Sequence, residues 1–187
     1  MRISGFGVRA AFPAALVLAA LFSPAAQAVL KVGDAAPAFT TQAAVAGKPF
    51  DFDMKAALAK GPVVLYFFPK AFTQGCTLEA HAFAEASPAF NAMGAQVVGM
   101  SHDDIATLQR FSTEACRDQF AVASDPQAKT IRAYDASAAA NPQRADRISY
   151  VVGQDSRIKF AHVGSDPVEH VEQTKAAVQQ LQRGVKK

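Results

Sequence analysis

Apolar and polar positions along this chain switch between two periods. "GPVVLYFF" (Gly61 to Phe68) is an unbroken apolar, β-rich run with a turn signal in front of it, the pattern of a strand buried on both faces. "AQVVGMS" (Ala95 to Ser101) predicts a second strand and "RISYVV" (Arg147 to Val152) a third. "RIKFAHV" (Arg157 to Val163) follows across the turn "GQDS", so the last two runs predict a hairpin. Between the strands the period lengthens to that of a helix. From Cys76 to Met93 the apolar residues Ala80, Phe83, Ala84, Phe90 and Met93 recur close to every 3.6 positions. Ser101 followed by Asp104 resembles a capping box with Asp in the Glu position, opening a helix whose stripe is Ile105, Leu108, Ser112 and Ala115. "PQAKTIRAYD" (Pro126 to Asp135) predicts a short helix and "DPVEHVEQTKAAVQQLQ" (Asp166 to Gln182) a longer closing one. Strands alternating with helices, then a hairpin and a last helix, predict a three-layer α/β/α domain with a mixed central sheet.

The N-terminus follows a different rule. Arg2 and Arg9 flank the start of "AAFPAALVLAALF" (Ala10 to Phe22), an apolar stretch too short to span a bilayer, and Ala26-Gln27-Ala28 supplies a small-x-small cleavage signal. The expectation is a cleavable export signal over residues 1–28, cut before Val29, and a single domain over residues 29–187 with no membrane segment. The export address implies a periplasmic location in a Gram-negative host.

Charge adds little. The formal net charge is +3, and Arg2 and Arg9 account for two of it. The remaining Lys and Arg are scattered apart from Lys186 and Lys187, with no basic stripe interleaved with aromatics, so nucleic acid is not expected as a partner. His81, His102, His162 and His170 are dispersed without metal-ligand spacing, so neither a metal nor another cofactor is expected.

The cysteines change the picture. Cys76 and Cys116 are the only two, and no CxxC is present, which argues against a dithiol oxidoreductase or a zinc ribbon. In an exported protein the first expectation for such a pair is a structural disulfide, contributing roughly 4 kcal/mol in the loop-entropy estimate. Cys76, however, follows Gly75 at the expected first turn of a helix, where unsatisfied N–H groups and the positive end of the dipole favour thiolate. His81 lies about 140° further around that helix and is badly placed as a general base. Glu79 falls nearer the same face, and unpaired it would oppose a thiolate, so a cationic partner for it is expected. Upstream, Pro69 and Thr73 complete the spacing Pro69-x-x-x-Thr73-x-x-Cys76 after a buried strand.

"PKAFTQGC" resembles the PxxxTxxC signature of peroxiredoxins, thiol peroxidases built on a thioredoxin-like fold, and "YFFPKAFTQGCTLEAHAF" is most similar to their peroxiredoxin Q (bacterioferritin comigratory protein) branch. "VGDAAPAF" (Val32 to Phe39), "VVGMSHDD" and "ASDPQAKTIRAYD" look like further family segments, and "RISYVV" looks like the strand carrying the family's active-site arginine, which falls on Arg147. The resemblance implies a peroxidatic Cys76 served by the Thr73 hydroxyl, backbone N–H groups near Gly75 and Cys76, and the Arg147 guanidinium, with Pro69 shielding the site and Glu79 orienting Arg147. It implies hydrogen peroxide or organic hydroperoxides as substrates, a thioredoxin-like thiol reductant, and a monomer.

One departure matters. Many peroxiredoxin Q members carry a resolving cysteine five residues after the peroxidatic one, where this chain has His81. Others place it on the following helix, and Cys116 fits that arrangement. The implied product is a sulfenic acid on Cys76, resolved by Cys116 as an intramolecular disulfide. Were the helix to continue that far, Cys116 would lie within about 20° of the Ile105 stripe, partly buried, and local unfolding would have to bring the sulfurs together. Two alternatives stand beside this reading. One is a thioredoxin-fold copper-handling protein using Cys76 and His81, and the other a non-catalytic binding domain stapled by Cys76–Cys116.

Overall fold

The computed structural model describes residue 1 and residues 29–185. Apart from Met1, the expected export signal lies outside the described residues, as do Lys186 and Lys187. In chain order the elements are β1 (Thr40–Val45), β2 (Lys48–Asp53), α1 (Met54–Lys60), β3 (Val63–Phe67), α2 (Gln74–Ala92), β4 (Gln96–Ser101) and α3 (Ile105–Glu114). They continue with β5 (Ala121–Ser124), α4 (Lys129–Ala133), β6 (Ser137–Ala138), β7 (Asn141–Ala145), β8 (Ile148–Val152), β9 (Ile158–Val163) and α5 (Pro167–Val185).

Seven strands form one mixed sheet in the order β2-β1-β5-β4-β3-β8-β9. β3 runs parallel to β4 and β4 to β5, while β8 and β9 make an antiparallel hairpin against the other edge of β3. The unbroken apolar run of β3 has a structural reason: both of its faces are covered. Val63, Leu65 and Phe67 enter one core cluster with Leu58 of α1, Ile131 of α4 and Tyr134 just beyond α4. Val64, Tyr66 and Phe68 enter a second with residues of α2, α3 and α5, including Phe83, Phe111 and Val178. The layers are therefore α1 and α4, the sheet, then α2, α3 and α5.

The structure adds α1, β5 and the β6–β7 pair to the elements read from the sequence, and other details differ. The β1–β2 hairpin precedes α1 and turns at Ala46 and Gly47, both with positive φ (50° and 72°), the two-residue geometry that suits a twisted hairpin. Ser101 does not cap α3: it ends β4, and Asp104 is the N-cap, its Oδ1 accepting from Thr107 N at 2.7 Å. α3 stops at Glu114, so Cys116 sits in the turn beyond it, and its N–H donates to the Phe111 carbonyl at 3.0 Å. Arg117 and Asp118 then take left-handed backbone conformations that end any helical continuation. The short helix from Pro126 shrinks to Lys129–Ala133, because Asp125 holds its start by accepting from Lys129 N and Ile131 N.

Candidate active site

The central strand β3 delivers the chain into the loop Phe68–Phe72, and α2 begins at once with Thr73 as its N-cap. Thr77 N donates to the Thr73 carbonyl, the first bond of the helix, so the N–H groups of Gln74, Gly75 and Cys76 have no helical partner. Cys76 occupies the third position of α2 and is 2% exposed. Its sulfur thus lies where three orphan donors and the positive end of a 19-residue helix act on it.

Arg147 arrives from the start of β8, and its Nη2 lies 3.8 Å from the Cys76 sulfur. Gly75 makes this approach feasible: a Cβ there would stand 3.1 Å from the same Nη2. The Nη1 of Arg147 is bonded to Glu79 Oε2, one turn below Cys76. The cationic partner expected for Glu79 is therefore Arg147. Glu79 is fully buried, and its Oε1 finds no hydrogen-bond partner among the described residues. Burial pushes its carboxyl up to about 8, and the charge and hydrogen bond of Arg147 pull it back only in part.

The loop itself is fixed from the side. Ala71 N donates to Asp103 Oδ2 at 2.8 Å, Ser101 Oγ donates to the same oxygen at 2.8 Å, and Ser124 Oγ donates to the Asp103 carbonyl at 2.7 Å. Asp103, to which sequence reasoning assigned no role, thereby ties the Cys76 loop to the ends of β4 and β5. Phe72 has φ +63°, an unusual conformation for a bulky side chain, and its ring is held edge-on by Phe111 at 5.2 Å and beneath the Arg110 guanidinium at 5.0 Å.

The expected site residues fall into two groups. Pro69 and Arg147 line a cavity of about 450 Å³ together with Asp146, Val163, Gly164 and Ser165, and Cys76 and Glu79 meet Arg147 behind it. Thr73 is exposed, and its hydroxyl donates to the Lys70 carbonyl at 2.9 Å. Its hydrogen is thus used inside the loop. Cys116 stands apart and is fully buried, not partly as expected, because the turn beyond α3 folds it into the second core cluster. Burial, with Asp118 adding, pushes its thiol well above the usual range. Its neighbour Arg117 bonds Glu85, nine residues along α2 from Cys76, which is about 13 Å of helix rise. Both cysteines are free thiols in this fold.

His81 is half-buried on α2. A metal cation at Cys76 would face the fixed charge of Arg147 across 3.8 Å, which disfavours copper there. Among the described residues no group of three or more His, Cys, Asp or Glu is placed to hold a metal ion.

A cysteine at a helix start, backed by an arginine that Glu79 holds, is a site for nucleophilic thiol chemistry. Residues 32–161 match the AhpC/TSA family, and the chain belongs to that family. Within it the similarity runs to the peroxiredoxin Q and bacterioferritin comigratory protein branch. The chain is 30% identical over 154 residues to peroxiredoxin Q, chloroplastic, of Oryza sativa subsp. japonica, covering 80% of this chain and 67% of the rice protein. It is 40% identical over 70 residues to the putative peroxiredoxin Rv1608c of Mycobacterium tuberculosis, covering 37% of this chain and 45% of that one. The crystal structure of peroxidoxin BcpB from Mycobacterium tuberculosis superposes with a TM-score of 0.71 at 25% identity, covering 81% of this chain and 97% of that one. The fold is thus the thioredoxin-like fold of peroxiredoxins, and family membership supports thiol peroxidase activity.

Proposed function

We propose that the protein is a peroxidase that reduces hydrogen peroxide and organic hydroperoxides through Cys76 and regenerates itself through Cys116. The observation that carries this reading is the Arg147 guanidinium, held by Glu79 and 3.8 Å from the Cys76 sulfur at the start of α2. The thiolate attacks one peroxide oxygen, an S–O bond forms, and the O–O bond breaks. The second oxygen leaves as hydroxide or alkoxide and takes up a proton. Negative charge moves along the S–O–O line, toward the donors that Arg147 and the α2 start supply. Pro69, which lacks an N–H, forms an unreactive wall of the approach cavity.

The sulfenic acid left on Cys76 then condenses with the Cys116 thiol, releasing water and forming a disulfide. Both sulfurs are buried as free thiols in the reduced fold, so the first turns of α2 and the turn after α3 open before the sulfurs meet. A thioredoxin-like thiol reductant would return the disulfide to two thiols. We place this cycle outside the cytoplasm, on the strength of the leader pattern in residues 1–28, and in a monomer. Glu79 serves as the orienting group for Arg147, and Thr73 as the cap that starts α2 beside the reacting sulfur.

Intact mass and peroxide consumption of the wild type, Cys76→Ser and Cys116→Ser test the scheme together. Cys76→Ser should consume no peroxide, while Cys116→Ser should accumulate a sulfenic acid and over-oxidise sooner. Full peroxidase activity in Cys76→Ser would sink the mechanism.

A further inference from the structure

The chain has three tyrosines, and their hydroxyls are not equivalent. Tyr134 donates to the Pro37 carbonyl and Tyr150 to the Tyr134 carbonyl, each at 2.8 Å. The Tyr66 hydroxyl is completely buried and finds no hydrogen-bond partner among the described residues. Native folds rarely leave such a group unpaired without a use for it.

The place of that hydroxyl suggests the use. The Tyr66 ring stacks on Phe83 of α2 with centroids 4.4 Å apart and meets the edge of Phe120, four residues beyond Cys116, at 5.9 Å. It therefore lies between the helix that carries Cys76 and the turn that carries Cys116. Its hydroxyl end passes over Gly99 on the neighbouring strand β4, where a Cβ would stand 2.8 Å from the oxygen, so a glycine at 99 clears its position. Tyr66 sits mid-strand in β3, hydrogen-bonded to β4 on one side and β8 on the other. Segments of this kind open last when a protein unfolds locally. Electrostatically the phenol responds most to its burial, then to Cys116, Glu79 and Cys76, with Arg147 acting in the opposite sense.

We propose that Tyr66 is the hydrogen-bond donor of the second half of the cycle, held on the rigid strand while α2 and the Cys116 turn move around it. The inference rests on the reading of Cys116 as the resolving cysteine. Buried Cys116 resists ionisation, yet it must present a sulfur lone pair to Cys76. As the turn opens, the Tyr66 O–H donates to the Cys116 sulfur and stabilises the thiolate that forms when the Cys116 proton passes to water entering the opened turn. The Cys116 sulfur then attacks the Cys76 sulfur, an S–S bond forms, and the S–O bond of the sulfenic acid breaks. Oxygen departs as hydroxide and takes back from the water the proton that Cys116 gave up, so the net product is one water molecule. Tyr66 itself is neither oxidised nor consumed. In the reduced fold no hydrogen bond joins the hydroxyl to either sulfur.

Tyr66→Phe removes the hydroxyl and keeps the ring. Rapid-quench mass spectrometry after one equivalent of hydrogen peroxide separates sulfenic acid formation from disulfide formation, with wild type and Cys116→Ser run in parallel. Disulfide formation in Tyr66→Phe should slow about tenfold, the loss of one hydrogen bond to a charged group. Sulfenic acid formation should stay within about twofold of wild type, the split expected of a group that acts only after the first step. More sulfinic acid per turnover should accompany the delay. A Tyr66→Phe disulfide rate equal to wild type overturns the proposal while leaving Cys116 as the resolving residue. Equal slowing of both steps overturns it too, since that is the mark of a general structural role. Absence of a Cys76–Cys116 disulfide in the wild type removes the resolving reading and this inference together.

Discussion

Glu79→Gln isolates the energetics of the buried carboxylate. In the native fold burial raises the Glu79 carboxyl from 4.5 to about 8 despite the adjoining Arg147. Below pH 4.5 the carboxyl is protonated in both the folded and the unfolded chain, and it carries no differential cost. As the pH rises from 4.5 towards 8, the unfolded chain releases this proton while the folded chain retains it, so native stability falls. The decline is at most ~1.4 kcal/mol per pH unit and about 5 kcal/mol in all, levelling off above pH 8. Glutamine has the shape of the protonated acid and cannot ionise. Urea unfolding of the two reduced proteins between pH 5 and 9 therefore gives a difference curve in which most other titrations cancel. Wild type and variant should be closest in stability near pH 5, and the variant should gain on the wild type up to pH 8. A flat difference curve over that range would refute the assignment of a burial-raised carboxyl at Glu79. A wild type that gained on the variant would mean that Arg147 outweighs burial.

Arg147→Gln should reduce the rate constant of peroxide reaction about a hundredfold, the scale of losing an oriented donor at a developing charge, as read by competition for peroxide. His170 is fully buried, its ring bonded to Ser149 Oγ at 2.8 Å and the Gly164 carbonyl at 3.0 Å, and burial lowers it from 6.5 to about 4, with His162 and Arg147 acting in the same direction. A depressed histidine costs nothing above pH 6.5, and its cost grows as the pH falls from 6.5 to 4. His170→Gln should therefore lose part of the wild type's acid-side fall in stability, roughly 3 kcal/mol at full extent, in urea titrations at pH 4 to 7. At Phe72, Ala and Gly both remove the ring that meets Phe111 and Arg110, but only Gly relieves the φ of +63°. Phe72→Gly should accordingly be more stable than Phe72→Ala by about 1 kcal/mol in thermal unfolding, reversing the usual order of the two residues.

What could be read from the chain depended on how local its physics was. β3 announced itself through an unbroken apolar run because both of its faces are covered, and α2 through the spacing of Ala80, Phe83 and Phe90. The β1–β2 hairpin escaped notice because its turn is Ala46-Gly47, without the Asn or Asp that marks such turns, and because β2 is largely exposed. β5 has four residues and no period to detect. In the site, Pro69, Thr73 and Cys76 share one short loop and were legible as a spacing. The need for a cation near Glu79 followed from helix geometry, but its identity as Arg147 required the family resemblance, since 68 positions separate the pair. Asp103 and Tyr66 were invisible. One read as part of a turn and the other as one more apolar strand residue, and only the folded chain shows what each hydroxyl, carboxylate or amide has for a neighbour. The capping of α3 was misread by three positions because Ser101 and Asp104 both suit an N-cap, and strand pairing with β5 claimed Ser101.

The central sheet is also a partition. Cys76, Cys116, Tyr66 and their aromatic neighbours all belong to the cluster on one side of it, while the cluster on the other side contains neither sulfur. Opening of the first turns of α2 and the Cys116 turn, as proposed above, would therefore loosen one side of the hydrophobic interior while the half beneath α1 and α4 keeps its order. An oxidised form with the proposed disulfide would then show a shallower denaturant slope and a smaller heat-capacity step than the reduced form, both of which scale with the surface left to expose. Redox state would then be legible in bulk thermodynamics, with no probe attached to either cysteine.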